Sequence, residues 1–597
     1  MDNKRNIILF VVLSAVMLFG WEAFSRWYFP QPQRPAVEQS QQASSSPSSS
    51  SAEDEKLRHS RTNREGGLHN AADIATERKD LATDLAAPVR VKIDAPKIAG
   101  SINPVGARID DLTLNRYRVD LDESSDPVRL FSPAGTPAEY FSQFGFVLDG
   151  ELATSGDTAW QTSGGPLAPG KPVTLSWNNG KGQLLSIKFS VDDHYMITAE
   201  QTVSNTGAAP VVVQPYALIK RTSKTASGDS WNVHSGPIGA FDEAVTYGPD
   251  YDDLAKSGSE KPTGRTDWMG FTDIYWLSAL VAQDGQKADA QFRSLGGELF
   301  QADLNYQPVT VPAGKAFTRT TRLFAGAKES DVLGSYQDAG IPNFSRAIDW
   351  GWFEILEKPI LWLLKHLFAL VGNFGVAIML LTVVIRGLMF PVAQKQFASM
   401  AAMRAIQPKM KALQERYKDD KQKQQQEVMA LYKAEGVNPL AGCLPLLLQI
   451  PIFFALYKVL ILSLDMRHQP FALWIKDLSA PDPVHFLNLF GLLDFTPEGF
   501  LAIGPLALLL GFTMFLQFKL NPAQMDPVQQ QMFMFMPWIM MFVMAPFATG
   551  LLLYWCTSNL LTIAQQAYLY SRHPQLKAQA EKDKSDQERA KARDKKG

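Results

Sequence analysis

Cysteine is almost absent from this chain of 597 residues. Cys443 and Cys556 both lie in apolar stretches, without metal-ligand spacing, and the polar half holds no pair that could form a disulfide. Both read as small apolar helix residues. Histidine is scarce where an enzyme would need it. Between residues 88 and 340 only His194 and His234 occur, neither tied to a carboxylate pair, and both read as solvated loop side chains. Nucleotide signatures are missing as well. Gly165-Pro166-Leu167-Ala168-Pro169-Gly170-Lys171-Pro172 imitates half of a phosphate-binding loop, but Pro172 stands where a magnesium-binding hydroxyl is needed and a strand pattern follows. Charge is lacking too, in one place. Between Leu520 and Ser571 the single charged residue is Asp526, whereas residues 53–130 are crowded with charge, so the near-neutral total of −2 averages a lipid-facing part with a water-facing one.

What is present falls into blocks. Lys4 and Arg5 precede an uncharged apolar run, Ile7 to Trp21, which continues into aromatics and not into a small-residue cleavage site. Residues 1–28 therefore read as an uncleaved transmembrane anchor with a cytoplasmic N-terminus; a cleaved signal is the alternative. Residues 29–87, rich in Ser, Pro, Gln and charge, read as a flexible linker with weak helix around Asp73–Leu85. Residues 88–340 turn to short β-rich runs separated by Gly, Asn, Asp and Pro. Leu185, Ile187, Phe189 and Val191 alternate with polar residues, and Val173–Trp177 reaches them through Asn178-Asn179-Gly180-Lys181-Gly182. Tyr195–Val203, Val211–Ile219, Trp276–Ala282 and Phe317–Phe324 add strands. The spacing predicts a large β-sandwich, periplasmic if the anchor has its N-terminus inside.

Asp349–Leu367 mixes Trp350, Trp352, Phe353 and Trp362 with Glu354, Glu357, Lys358 and Lys365, as suits an interfacial amphipathic helix interrupted near Pro359 and assigned to 345–367. Hydrophobic spans follow at 369–391, 441–464, 500–519, 530–549 and 551–571. With the anchor, the expected fold class is a multi-pass α-helical membrane protein, a five-helix core over 368–571, carrying the periplasmic β-sandwich. Residues 392–440 and the tail 572–597 carry nine Lys/Arg each, while loop 465–499 has two against five acids, which places both basic segments in the cytoplasm.

Polar residues inside the spans point to function. Thr382 and Arg386 share a face of the second span, Thr513 and Gln517 of the fourth, and Ser558, Thr562 and Gln565 of the sixth, beside Asn559 and Gln566. These stripes fit a wet cavity between helices; they fit equally an Arg386 that snorkels to headgroups and hydroxyls that only pack helices together. The fifth span holds six methionines between Met532 and Met544, a surface able to accept varied apolar segments or an ordinary packing face. Within 392–438, Met403, Ile406, Met410, Leu413 and Tyr417, then Val428, Leu431 and Tyr432, recur at helical spacing around Lys418-Asp419-Asp420, a cytoplasmic helical hairpin.

Several separate motifs carry a resemblance. Arg386-Gly387-Leu388-Met389-Phe390-Pro391, Gln407-Pro408-Lys409, Tyr432-Lys433-Ala434-Glu435, Asn438-Pro439-Leu440-Ala441-Gly442-Cys443, Gln449-Ile450-Pro451-Ile452-Phe453, Phe471-Ala472-Leu473-Trp474-Ile475, Asp477-Leu478-Ser479 and Ser558-Asn559-Leu560-Leu561-Thr562 resemble the YidC insertases of the YidC/Oxa/Alb family. The layout is similar to that family's Gram-negative branch. The resemblance implies an inner-membrane insertase and chaperone, not an enzyme, without catalytic residue, metal or cofactor. It implies a groove open to cytoplasm and lipid, with Arg386 as its positive charge and Thr382, Gln517, Tyr554, Trp555, Ser558, Asn559 and Thr562 around it. A slide for the departing substrate would run along Gln449, Ile450, Pro451, Phe453, Met536, Met540 and Met544. The implied partners are nascent membrane proteins, the Sec translocon, the ribosome and the phospholipid bilayer, with no sequence-specific nucleic acid. Two positions depart from the pattern: Lys458, charged in an apolar stretch and expected to snorkel outward, and Trp555, where the aromatic varies. A transporter would need repeated halves, and no repeat is visible; a membrane-anchored carbohydrate enzyme lacks an acid–base cluster.

Overall fold

The structure, a computed structural model, describes residues 65–122, 124–228, 233–283, 287–417, 420–436, 444–493, 497, 499–520 and 527–572. The expected anchor, the first part of the linker, Cys443 and its motif from Asn438, the Lys418-Asp419 pair, and the tail from His573 onward lie outside the described residues. The chain forms two compact units: the described residues up to Ala377 with Pro451–Ala480, and Ile378–Ile450 with the described residues from Pro481.

In the first unit, two antiparallel sheets face each other. One runs in the order Val91–Asp94, Ile98–Asn103, Arg108–Arg118, Tyr140–Leu148, Val211–Thr222, Leu299–Tyr306, Ala288–Gly296, Ser259–Glu260; the other includes Thr266–Thr272, Trp276–Ala282, Ala316–Ala327, Met196–Asn205, Gln183–Val191 and Val173–Asn178 as consecutive neighbours. Gln183–Val191 shows the simplest cause. Its alternate residues Leu185, Ile187 and Phe189 are fully buried, which only a strand with one wet face achieves. The hairpin that feeds it turns on side chains. The Gly180 and Lys181 amides donate to Asn178 Oδ1 and Asn179 Oδ1, each at 2.9 Å, while Gly180 and Gly182 take the positive φ values of 72° and 93° that the reversal needs.

Burial alone does not specify this sandwich. Buried Gln201 donates to the carbonyls of Gly145 and Tyr216 on the opposite sheet, at 2.8 and 3.2 Å. Arg221, 1% exposed, pairs with Asp273 at 3.0 Å and lies 4.4 Å from the Tyr140 ring centre. Both histidines correct the expectation of solvated loops. His234 Nε2 and the Pro237 carbonyl are hydrogen-bonded at 2.8 Å, and His194 packs edge-on to Tyr336 with Nδ1 buried, so each is half-buried.

Helix α1, Ala71–Asp84, begins where Asn70 accepts from the Ala72 amide at 2.9 Å. Helices α2, Tyr251–Ser257, and α3, Ser330–Asp338, flank the sheets' strands in sequence. A single turn, Gly351–Phe353, leads into α4, Glu354–Val371. The expected break near Pro359 does not occur. Pro359 sits in the second turn, where only the bond to the Ile355 carbonyl is forfeited, and Ile355 is 82% exposed, so water can replace it. The turn exposes Trp352 and the helix exposes Ile355, Trp362 and Leu370, apolar side chains left open among the described residues.

Six further helices precede the last two: α5 Phe374–Leu388, α6 Phe390–Ala405, α7 Gln407–Arg416, α8 Lys421–Ala434, α9 Leu444–Leu462 and α10 Pro505–Leu520; α11 Pro527–Met544 and α12 Thr549–Arg572 end the described chain. Among the described residues no single helix is by length and composition long and apolar enough to cross a bilayer; the pair Phe374–Leu388 and Phe390–Gln396, bent by 56°, meets that test together. The charged segment forms the expected hairpin of α7 and α8, whose seam buries Ile406 and Met410, with Tyr432 donating to Met410 Sδ at 3.2 Å.

Lys458 overturns its expectation. It donates to the Asp349 carbonyl at 2.7 Å, has the Asp349 carboxylate at 3.5 Å, and its side chain is 12% exposed, so protein groups of the same unit already satisfy the ammonium. Arg467, past the end of α9, is likewise held inside: it pairs with Glu65 at 2.7 Å, donates to the Arg118 carbonyl at 3.0 Å and lies over Tyr275 and Trp276.

Candidate functional site

The second unit gathers polar side chains from helices that are otherwise apolar. α10 packs against both α11 and α12. On α12 the residues at successive turns, Tyr554, Ser558 and Thr562, fall on one face with Asn559 beside them, since i and i+4 align. Arg386, near the C-terminal end of α5, aims its guanidinium across to this face. Nε donates to Ser558 Oγ at 3.0 Å, and a terminal nitrogen makes a second bond to the same oxygen. Asn559 donates to Thr513 of α10 at 3.1 Å, and Gln449 of α9 donates to the Tyr554 hydroxyl.

Six residues on the proposed groove's helices are thus joined in three pairs across α5, α9, α10 and α12. Ser558, Asn559, Thr513 and Tyr554 are buried and Arg386 is half-buried. Two expected members bond within their own helices. Thr382 is fully buried and donates to its own helix at Ile378, 2.7 Å away, and Thr562 donates to the Ser558 carbonyl at 2.7 Å, so both hydroxyls are satisfied locally. Gln517 and Trp555 are half-buried on α10 and α12. Gln449, assigned to the slide by resemblance, bonds Tyr554, and Thr513 bonds Asn559 although the resemblance did not name it; its spacing from Gln517 was the available signal.

The cluster is under-satisfied for its polarity. Arg386 has a neutral hydroxyl as partner, and among the described residues no carboxylate forms an ion pair with it. Gln449 Oε1, Gln565 Nε2 and Gln566 Oε1 are buried polar atoms without a hydrogen-bond partner among the described groups. Each such group strongly favours a water molecule or an incoming polar chain. Of the expected slide residues, Ile450 is 43% exposed, Pro451, Phe453, Met536 and Met540 are half-buried, and Met544 is buried. Cys556 is buried, its thiol 3.6 Å from the Leu506 carbonyl. Among the described residues no cluster of His, Cys, Asp or Glu could hold a metal.

A family model described as 60Kd inner membrane protein matches residues 366–579, and one described as YidC periplasmic domain matches residues 90–363. The membrane protein insertase YidC of Zymomonas mobilis subsp. mobilis is 43% identical over 580 residues, covering 96% of this chain and 96% of that protein. The chain belongs to the YidC family. The membrane protein insertase YidC of Bradyrhizobium diazoefficiens is 41% identical over 600 residues, covering 96% of this chain and 97% of that protein. Among solved structures, an active YidC insertase with its first transmembrane domain resolved covers 82% of this chain and 98% of its own, at 18% identity and a TM-score of 0.34. Family membership brings a helical membrane core, a periplasmic domain and residence in the inner membrane, and assigns the β-sandwich to the periplasm.

Proposed function

We propose that the chain inserts membrane proteins through a hydrophilic, cationic groove centred on Arg386. The observation that carries this reading is Arg386 itself, donating twice to Ser558 with no carboxylate paired to it among the described residues. A guanidinium in this setting costs roughly 2.5–3.5 kcal/mol on insertion scales unless water or a polar guest solvates it. The groove comprises Arg386, Thr382, Gln517, Tyr554, Trp555, Ser558, Asn559 and Thr562; the slide runs along Ile450, Pro451, Phe453, Met536, Met540 and Met544, with Gln449 shared between them.

The mechanism needs no nucleotide. Buried amides and hydroxyls keep a client's polar tail partly solvated while it enters the membrane plane, which lowers the penalty of crossing hydrocarbon. An acidic tail also gains Coulomb attraction to Arg386, about 4 kcal/mol for charges 4 Å apart at an effective dielectric of about 20. Partition of the client's apolar helix into lipid then drives the step.

In the same reading residues 1–28 anchor the chain with both termini in the cytoplasm, 29–87 tether the sandwich at 88–340, 345–367 lie along the membrane surface, and 368–571 form a five-helix core. The hairpin at 392–438 and the basic tail at 572–597 face the ribosome, and the Sec translocon is a further partner. In proteoliposomes, Arg386→Ala is expected to slow insertion of clients with short acidic tails about tenfold, a barrier change of ~1.4 kcal/mol, with Arg386→Lys milder. Equal rates for mutant and parent on those clients overturn the role.

A further inference from the structure

Helix α4 carries a carboxyl that packing has closed off. Glu357 is fully buried, and among the described residues neither of its oxygens has a hydrogen-bond partner. Charged groups face it from three segments: Lys458 on α9, Asp349 on the strap between the sandwich and α4, and Glu354 one turn earlier on α4. Glu354 is already engaged by Lys358 at 2.6 Å and Arg346 at 3.3 Å. Lys458 is held by the Asp349 carbonyl at 2.7 Å, while the Asp349 carboxylate stands off at 3.5 Å. Gly351 makes room for this. At φ +65°, a Cβ there would lie 2.8 Å from the Lys458 ammonium. Beyond Asp349, buried Lys328 at the end of the last strand donates to Thr272 at 3.0 Å and the Ala347 carbonyl at 3.3 Å.

One ammonium therefore has two carboxyl groups within its field, on two different segments, and satisfies only one. An ionised carboxylate without partners in such a place is strongly disfavoured. Burial holds Glu357 in its neutral form, pushed up to about 8 against the pull of Lys458. Loss of that proton makes Glu357 the stronger attractor, since it is the more deeply buried of the two.

We propose that Lys458 is a two-position latch that fixes the part of α9 after Pro451 either to the strap at Asp349 or to Glu357 on α4. Lys458 and Glu357 are thus positioning residues for the helix along which clients leave, a role that rests on the slide assigned above. Deprotonation moves the latch from Asp349 to Glu357, drawing α9 toward α4.

The test uses the full chain in liposomes, with Cys443 and Cys556 replaced by Ala and spin labels on cysteines placed at Trp362 and Ile452. The α4–α9 distance distribution is expected to hold two populations whose ratio shifts more than fivefold between pH 6.5 and 9, shortening at high pH. Glu357→Gln should leave the longer distance at every pH. Lys328 titrates in the same range, since burial pushes it down to about 8, and Lys328→Met should leave the shift in place. One pH-independent population in the parent chain, a shift that survives in Glu357→Gln, or one that vanishes only in Lys328→Met overturns the latch. Insertion of an acidic-tailed client should change at least threefold over the same range in the parent and less than 1.5-fold in Glu357→Gln; a distance shift without a change in insertion overturns the positioning role. Arg386→Ala in the same liposomes separates the two readings. If it inserts acidic-tailed clients normally the groove fails, while the label distances still judge the latch.

Discussion

The sandwich and the helical unit each bury an arginine, and they treat it in opposite ways. Arg221 has a carboxylate at 3.0 Å and the ring of Tyr140 at 4.4 Å, and is 1% exposed. Among the described residues Arg386 has a single hydroxyl oxygen as hydrogen-bond partner, and it stays half-buried. A paired guanidinium inside a sandwich fixes one arrangement of the strands and leaves nothing for a ligand. An under-paired one keeps attraction in reserve. Where a buried charge lacks its counterion, the missing partner is the place to look for function.

That contrast breaks most readily on the sandwich side. Arg221→Ala strands Asp273 without its ion-pair partner and should destabilise the sandwich by about 3–5 kcal/mol, read as the urea midpoint of the detergent-solubilised chain. Arg467→Ala removes a buried ion-pair partner of Glu65 and a donor to the Arg118 carbonyl, and should cost about 3 kcal/mol by the same measure. Arg386→Ala, by contrast, should shift that midpoint by less than ~1 kcal/mol while impairing insertion. A stability loss as large as that of Arg221→Ala would erase the distinction between them.

Glu357 gives the most specific effect, because it appears only as the pH changes. Its carboxyl is raised above the ordinary glutamate value of 4.5 to about 8. The folded state then binds more protons than the unfolded chain, so this contribution to stability is complete below about pH 4.5, falls as pH rises and is lost above about 8. The slope is at most ~1.4 kcal/mol per pH unit. Thermal midpoints of the parent chain should therefore fall relative to Glu357→Gln between pH 5 and 8, and run parallel outside that window.

Much of this was legible in the residues, for physical reasons that also mark the limit. Leu185, Ile187 and Phe189 announce a strand because one face of it is wet. Thr266–Thr272 and Gly236–Phe241 announce nothing, because both faces are buried and no alternation survives. Helical spacing placed Ser558 and Thr562 on one stripe, yet could not say that Ser558 meets Arg386 while Thr562 turns back to its own helix. Pairing across helices depends on side-chain direction and on contacts 172 residues apart. Lys458 was misjudged for the same reason. Snorkelling is the default for a lone lysine in an apolar run, and only the fold shows Asp349 beside it.

Access of water to Arg386 tests the central claim most directly. With Cys443 and Cys556 replaced by Ala, a cysteine at position 386 should react with a membrane-impermeant maleimide added from the cytoplasmic side, and should resist the same reagent from the periplasmic side. Reaction only with a lipid-soluble maleimide, at equal rates from both sides, would mean a dry interior and contradict the groove.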